Sequence, residues 1–184
     1  MEKIKLDDFL QKDIKEIYGK VICFPTDTVY GVGAIYNDQA AIDKIYQIKN
    51  RSKDKPLVNL CSRVSQITDL GITIKPEVQS LIEQYWPGAL TIIFQDGNKT
   101  TSFRMPDSPI ALSIIEKFTM MATTSVNESG EPELNNYEEI AVKFADEIDY
   151  FISDTAVFSK VPSTVIDVSK NQFHVLRLGN IKIK

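Results

Sequence analysis

Apolar positions recur along this chain with two periods, and the alternation between them outlines the elements. Phe9, Leu10, Ile14 and Ile17 share one face of a helix expected over 7–18, with Asp7 or Asp8 as N-cap and Gly19 just past its end. The run Val21 to Phe24 reads as a short buried strand over 20–24, ended by Pro25. A second strand follows from Tyr30 to Tyr36, with glycines at 31 and 33 where other backbone comes close. Asp38 caps a helix to about Asn50, carried by Ala41, Ile42, Ile45, Tyr46 and Ile48. Leu57–Cys61 is a strand, and helices follow at 63–69 and 76–86.

Later in the chain strands dominate. They are expected at 89–95, 101–105, 120–125, 150–153, 163–168 and 172–178, with helices from Ser108-Pro109 to Phe118 and over 137–147. Pro109 suits a first helical position, where its missing N–H costs nothing. Strands alternating with helices early and dominating late imply a mixed-sheet α/β or α+β domain. No repeat, linker or low-complexity stretch divides the 184 residues, so a single domain over 1–184 is expected.

Composition narrows the class. The net charge of −4 disfavours unspecific nucleic-acid binding by the whole surface. Cys23 and Cys61 lie in apolar runs and read as buried free thiols of a reducing compartment. One histidine and two cysteines cannot build the usual zinc site. Without an apolar leader at the N-terminus or an 18-residue apolar run, a cytoplasmic chain with no membrane span is the expectation.

Several polar segments interrupt this frame. Thr26, Asp27 and Thr28 follow a strand directly. They either satisfy their own turn backbone or face a ligand. Lys49, Arg51, Lys53 and Lys55 point one way if their segment is extended, which would make a phosphate-binding wall; otherwise they are a solvated face. Arg104, among apolar and hydroxyl positions, needs an anionic partner, supplied by the protein or by a substrate. The loop after Ser125, and the strand edges at Ser163-Thr164 and Arg177, each add a polar group.

Taken in order, these segments resemble the YrdC-like family of threonylcarbamoyl-AMP synthases. The resemblance rests on Pro25-Thr26-Asp27-Thr28-Val29-Tyr30-Gly31-Val32-Gly33, Lys49-x-Arg51, Pro56-Leu57, Trp86-Pro87-Gly88-x-Leu90-Thr91 and Arg104-Met105-Pro106. It continues through Ser125-x-Asn127, Ser163-Thr164-Val165-x-Asp167 and Leu176-Arg177-x-Gly179. It implies a twisted mixed sheet flanked by helices, with a concave ligand cleft, in the short single-domain form of the family. It also implies an enzyme that makes threonylcarbamoyl-adenylate and pyrophosphate from L-threonine, bicarbonate and ATP, for tRNA threonylcarbamoyladenosine. By position, Thr28, Arg104, Ser125 and Ser163 would hold threonine. Arg51, Lys55, Thr100, Asn127, Asn135 and Arg177 would hold ATP, and Lys49 with Arg51 would form the catalytic cations. Mg²⁺ would be bound mainly through phosphates, with no protein metal site; downstream tRNA-modification proteins would be partners.

The chain departs from the family pattern in places. Leu60 and Ser108 stand where some members have histidine. Glu133-Leu134-Asn135 replaces a Ser-Pro-Thr run, and Glu133 would repel phosphate unless turned away. Two other readings compete: an RNA-binding module using a basic concave face of the same fold, with weak RNA binding, and a carbamoyl-transfer domain of hydrogenase maturation.

Overall fold

The structure, a computed structural model, describes residues 1–170 and 173–183. Ten strands form one mixed sheet in the order β1-β8-β2-β3-β7-β4-β6-β5-β9-β10. They are β1 (Glu2–Ile4), β2 (Ile22–Pro25), β3 (Tyr30–Ile35), β4 (Val58–Leu60), β5 (Leu90–Asp96), β6 (Lys99–Arg104), β7 (Met121–Ser125), β8 (Tyr150–Ile152), β9 (Thr164–Asp167) and β10 (His174–Arg177). The helices are α1 (Leu6–Phe9), α2 (Ile14–Ile17), α3 (Gln39–Ile48), α4 (Ser65–Thr68), α5 (Pro76–Tyr85), α6 (Pro109–Phe118) and α7 (Tyr137–Phe144). None of the described helices is long and apolar enough to cross a membrane.

Where helices cover both faces of the sheet, strands read as unbroken apolar runs. Cys23, Val32 and Ala34 turn to α3 and α7, packing on Ala41, Ile45, Ile140 and Phe144. Their strand neighbours Ile22, Phe24 and Ile35 turn to the other face, against Phe9, Ile17 and the α6 residues Ile114, Ile115 and Phe118. The far half of the sheet is covered differently. Leu90, Ile92, Phe94, Phe103 and Ile166 pack on Ile67, Val78 and Ile82 of α4 and α5. The alternate residues Thr91 and Arg104 face the opposite way and help line an open cleft. The period of two thus separates core from cleft along β5 and β6.

Most expected elements are present, and the exceptions have local causes. The single helix over 7–18 is instead two short turns. Asp13 forms a capping box with Glu16, accepting from Lys15 N at 2.9 Å while Asp13 N donates to Glu16 Oε1 at 2.7 Å. A side chain that caps the second turn withdraws its residue from a continuous helix. The residue at the first N-cap is Lys5, not an aspartate. β1 was not foreseen, because its parallel pairing with β8 joins residues nearly 150 positions apart. Asp38 caps α3 as expected, accepting from Ala41 N at 3.2 Å, and Ser108 caps α6, accepting from Ala111 N at 3.3 Å. Pro109 opens α6. The helix expected over 137–147 ends at Phe144. Of the strand expected over 172–178, position 172 lies outside the described residues. Both cysteines are free and buried.

Candidate functional site

A cleft of about 160 Å³ opens where β3, β7, β4, β6 and β5 run side by side. The register brings Gly31 opposite Ser125, Val58 opposite both Thr123 and Ser102, and Leu60 opposite Arg104. These residues therefore share one face of the sheet. Gly31 leaves room that a side chain would take, since a Cβ there would lie 2.8 Å from Thr123 Cγ2. Gly179 serves the neighbouring wall: a Cβ would lie 2.1 Å from Pro162 O, so only glycine lets the chain after β10 press on the Ser163 segment.

One corner of the cleft is built around Arg104, whose side chain is 7% exposed. Its guanidinium donates to Thr28 Oγ1 at 2.8 Å and to Gly88 O at 3.0 Å, and it forms an ion pair with Asp27. The anionic partner that the sequence leaves open is thus, in this structure, a carboxylate of the protein. The turn itself is split in function. Both threonines line the cleft, but Thr26 also satisfies its own backbone, donating to Val29 O at 2.7 Å and accepting from Thr28 N, whereas the Thr28 hydroxyl meets Arg104. Loop 153–162 straps this turn, with Ser159 N and Lys160 N donating to Asp27 O and Thr28 O at 3.0 and 2.8 Å.

Ser163 adjoins this corner. Its hydroxyl lies 2.8 Å from Thr91 Oγ1 and accepts from Arg177 Nη2 at 3.2 Å, while Arg177 Nε donates to Ser163 O at 3.0 Å. Arg51 donates to the carbonyls of Lys55 (2.8 Å) and Pro56 (3.3 Å). Arg51 and Arg177 both line the cleft, and among the described residues neither forms an ion pair. Burial lowers the proton affinity of both guanidiniums. For Arg177, Glu133 opposes that shift, while Arg104 and Arg51 add to it. A guanidinium remains charged despite such shifts, so the wall has positive charge for an incoming anion to neutralise.

The segment 49–55 is not extended, which overturns the expectation of four cations aligned in one direction. Lys49 ends α3, Asn50 has φ of 47°, and turns follow. Lys53 consequently points outward to Asp43 at 2.8 Å. The Lys55 side chain is exposed, and its hydrogen bonds run through its backbone.

Lys49 is buried at 1% exposure, and its ammonium donates to Ser125 O, Asn127 O and Asn127 Oδ1 at 2.6, 2.6 and 2.7 Å. It acts as a strut between α3 and the loop after β7, and its ammonium has no proton left for a ligand. Burial, then repulsion from Arg51, pushes its pKa down to about 8; Glu133 acts in the opposite sense.

The remaining sequence-derived candidates separate in the same way. Ser125 lines the cleft and donates to Asn127 Oδ1 at 2.7 Å. Asn127 is committed to Lys49, Ser125 and Glu131 O. Asn135 accepts from Tyr30 N at 3.3 Å and donates to Glu133 O at 3.1 Å, so its amide fastens the loop to β3. Thr100 is exposed toward the β5–β6 hairpin end, four residues along β6 from Arg104, and is not part of the cleft lining. Sequence reasoning assigned no role to Asp27 or Thr91. A lone hydroxyl inside the apolar run Leu90–Phe94 was the available signal for Thr91. Nothing local joins Asp27 to a residue 77 positions away.

These features define a class: an α/β ligand-binding domain whose cleft combines a neutralised arginine–hydroxyl corner with two further arginines that form no ion pair among the described residues. The chain belongs to the Sua5/YciO/YrdC family, whose model, described as "Telomere recombination", matches residues 17–179. It is similar to threonylcarbamoyl-AMP synthase of Bacillus subtilis, 33% identical over 174 residues that cover 88% of this chain and 50% of that protein. Threonylcarbamoyl-AMP synthase of Pyrococcus abyssi is 33% identical over 177 residues, covering 90% of this chain and 52% of that one. A crystal structure of Pyrococcus abyssi Sua5 complexed with L-threonine superposes with a TM-score of 0.86 at 32% identity, covering 97% of this chain and 56% of that one. The chain thus spans about half the length of these relatives.

Proposed function

We propose that this chain forms threonylcarbamoyl-adenylate and pyrophosphate from L-threonine, bicarbonate and ATP, the activated group then passing to proteins that modify tRNA in the cytoplasm. The observation that carries this reading is the asymmetry of the cleft. Its Arg104 corner is lined with hydroxyls and fits a small zwitterion, while Arg51 and Arg177, which line the same cleft, are held by neutral acceptors and suit an anion. A cavity of about 160 Å³ suits an amino acid. It is well below the roughly 300–1,000 Å³ of pockets that enclose a drug-sized ligand, so most of a nucleotide would extend from it.

In this reading the threonine carboxylate takes the Arg104 guanidinium in competition with Asp27. Thr28, Ser125 and Ser163 contact its hydroxyl and amine. The neutral amine adds to bicarbonate with loss of water, or to carbon dioxide with loss of a proton, to form a carbamate. A carbamate oxygen then attacks the α-phosphorus of ATP, and pyrophosphate leaves. Arg51 and Arg177 bear on the phosphates, and Lys55 is within the same rim segment. Asn127, Asn135 and Lys49 hold the loop that presents Ser125 rather than contact the nucleotide. Such a displacement needs positioning and charge neutralisation more than a nucleophilic side chain. Among the described residues no cluster of three His, Cys, Asp or Glu could hold a metal unaided. The phosphates would therefore supply most ligands of Mg²⁺, as its chemistry favours.

The test is pyrophosphate release from ATP with bicarbonate and threonine. Release that stops when threonine is omitted is expected; release at the same rate without threonine would overturn the proposal.

A further inference from the structure

We infer that Glu133 supplies a protein ligand to a divalent cation that binds together with the triphosphate of the nucleotide. The inference rests on the nucleotide reading above. Glu133 lines the cleft with Arg51, Arg177 and Ser125, and it is half-buried. Among the described residues no lysine or arginine nitrogen lies within 4.0 Å of its carboxylate, although three arginines share its cavity. Asp27, at the other corner, has its cation. Glu133 does not.

The loop that carries Glu133 is fastened on both sides. Leu134 N donates to Val126 O at 2.8 Å, Asn135 receives Tyr30 N, the Asn135 amide donates to the carbonyl of Glu133 itself, and Lys49 braces the loop at 125 and 127. So many ties keep residue 133 at the cleft rather than letting it swing away. It lines the same cleft as Arg51 and Arg177, and its negative charge favours the protonated forms of Arg177 and Lys49.

A carboxylate in that cleft repels a bare triphosphate, because like charges brought together in a partly desolvated site are costly. A divalent cation between them reverses the sign. Mg²⁺ and Mn²⁺ suit one carboxylate plus phosphate oxygens and waters, and Mg²⁺ rarely takes an all-protein cage. An ammonium of the amino acid would suit the carboxylate too, and threonine binding to the same variants separates that contact from a cation held with the triphosphate.

The test uses Mn²⁺ with ATP, read by water-proton relaxation, on the wild-type chain, Glu133→Gln and Glu133→Asp. With ATP present, Mn²⁺ affinity is expected to fall about tenfold in Glu133→Gln and to recover largely in Glu133→Asp. In EDTA, ATP should bind Glu133→Gln about threefold more tightly than wild type, because a repulsive charge is gone. Equal Mn²⁺ affinity in wild type and Glu133→Gln, with ATP still bound, would overturn this inference alone. Loss of threonine binding in Glu133→Gln with unchanged Mn²⁺ affinity would overturn it in favour of an ammonium contact. ATP binding to neither protein, with or without metal, would overturn the nucleotide reading and this inference together. Thermal unfolding at the wild-type midpoint checks that the variants fold.

Discussion

Two groups of arginines in the cleft put the same residue type to different ends. Arg104 is almost fully buried and paired with Asp27, Thr28 and Gly88 O, so its charge is already neutralised and its geometry fixed. Arg51 and Arg177 donate only to carbonyls and the Ser163 hydroxyl, and among the described residues neither forms an ion pair. An arginine whose counterion is built in contributes to stability and shapes a subsite. An arginine held by neutral acceptors keeps its charge for a ligand.

The largest expected effect lies at the paired arginine. Arg104→Ala leaves Asp27, 14% exposed, without its cation, and breaking such a largely buried pair costs about 3 kcal/mol. Denaturant unfolding should read that loss, while Arg51→Ala should cost less than about 1 kcal/mol, since it strands no opposite charge. Equal losses in the two variants would abolish the distinction.

Ligand binding sharpens it next. Arg51→Ala and Arg177→Ala should each weaken ATP binding about tenfold, with a shallower salt dependence, and leave threonine affinity near wild type. Calorimetry that found threonine weakened more than ATP would reverse the assignment of the two groups.

The smallest effect concerns Lys49, which braces the loop after β7. Its folded pKa of about 8 lies below the ordinary lysine value of 10.5. Below pH 8 both states hold the proton, and the cost of burying the charge is fully present. Between 8 and 10.5 the unfolded chain binds more protons than the folded one, so this residue's contribution makes stability rise with pH. Wild type should therefore gain on Lys49→Met over that window. Over the same window the neutral amine, with two protons for three acceptors, should let amide exchange quicken at 125–131. A stability difference flat from pH 7.5 to 10 would refute the depressed pKa.

The comparison also separates what could be read early from what could not. Positions that answer to their neighbours in sequence were legible. Asp38 caps the helix that follows it, Pro109 sits in a first turn, and Cys23 is buried by the run it belongs to. The break at Asp13 was misread because one side chain's competition for backbone N–H groups outweighs a good apolar face. The 49–55 segment was misread for a related reason. Alternation holds only in extended chain, and Asn50 turns the backbone at once, sending Lys53 outward and burying Lys49.

By itself the sequence determined the strands and helices whose hydrophobic period is clean, the single mixed α/β class, and the family and set of polar segments from which the cleft is drawn. Only the tertiary structure decided which of those groups have charge or hydroxyls left to offer. Asp27 meets Arg104 across 77 residues, Lys49 spends its protons on Ser125 and Asn127, and Glu133 reaches the cleft without a cation. The physical reason is range. Periodicity and capping act within a few residues of chain, whereas pairing and desolvation of charge depend on distances that exist only once the sheet has brought β3, β6 and β7 together.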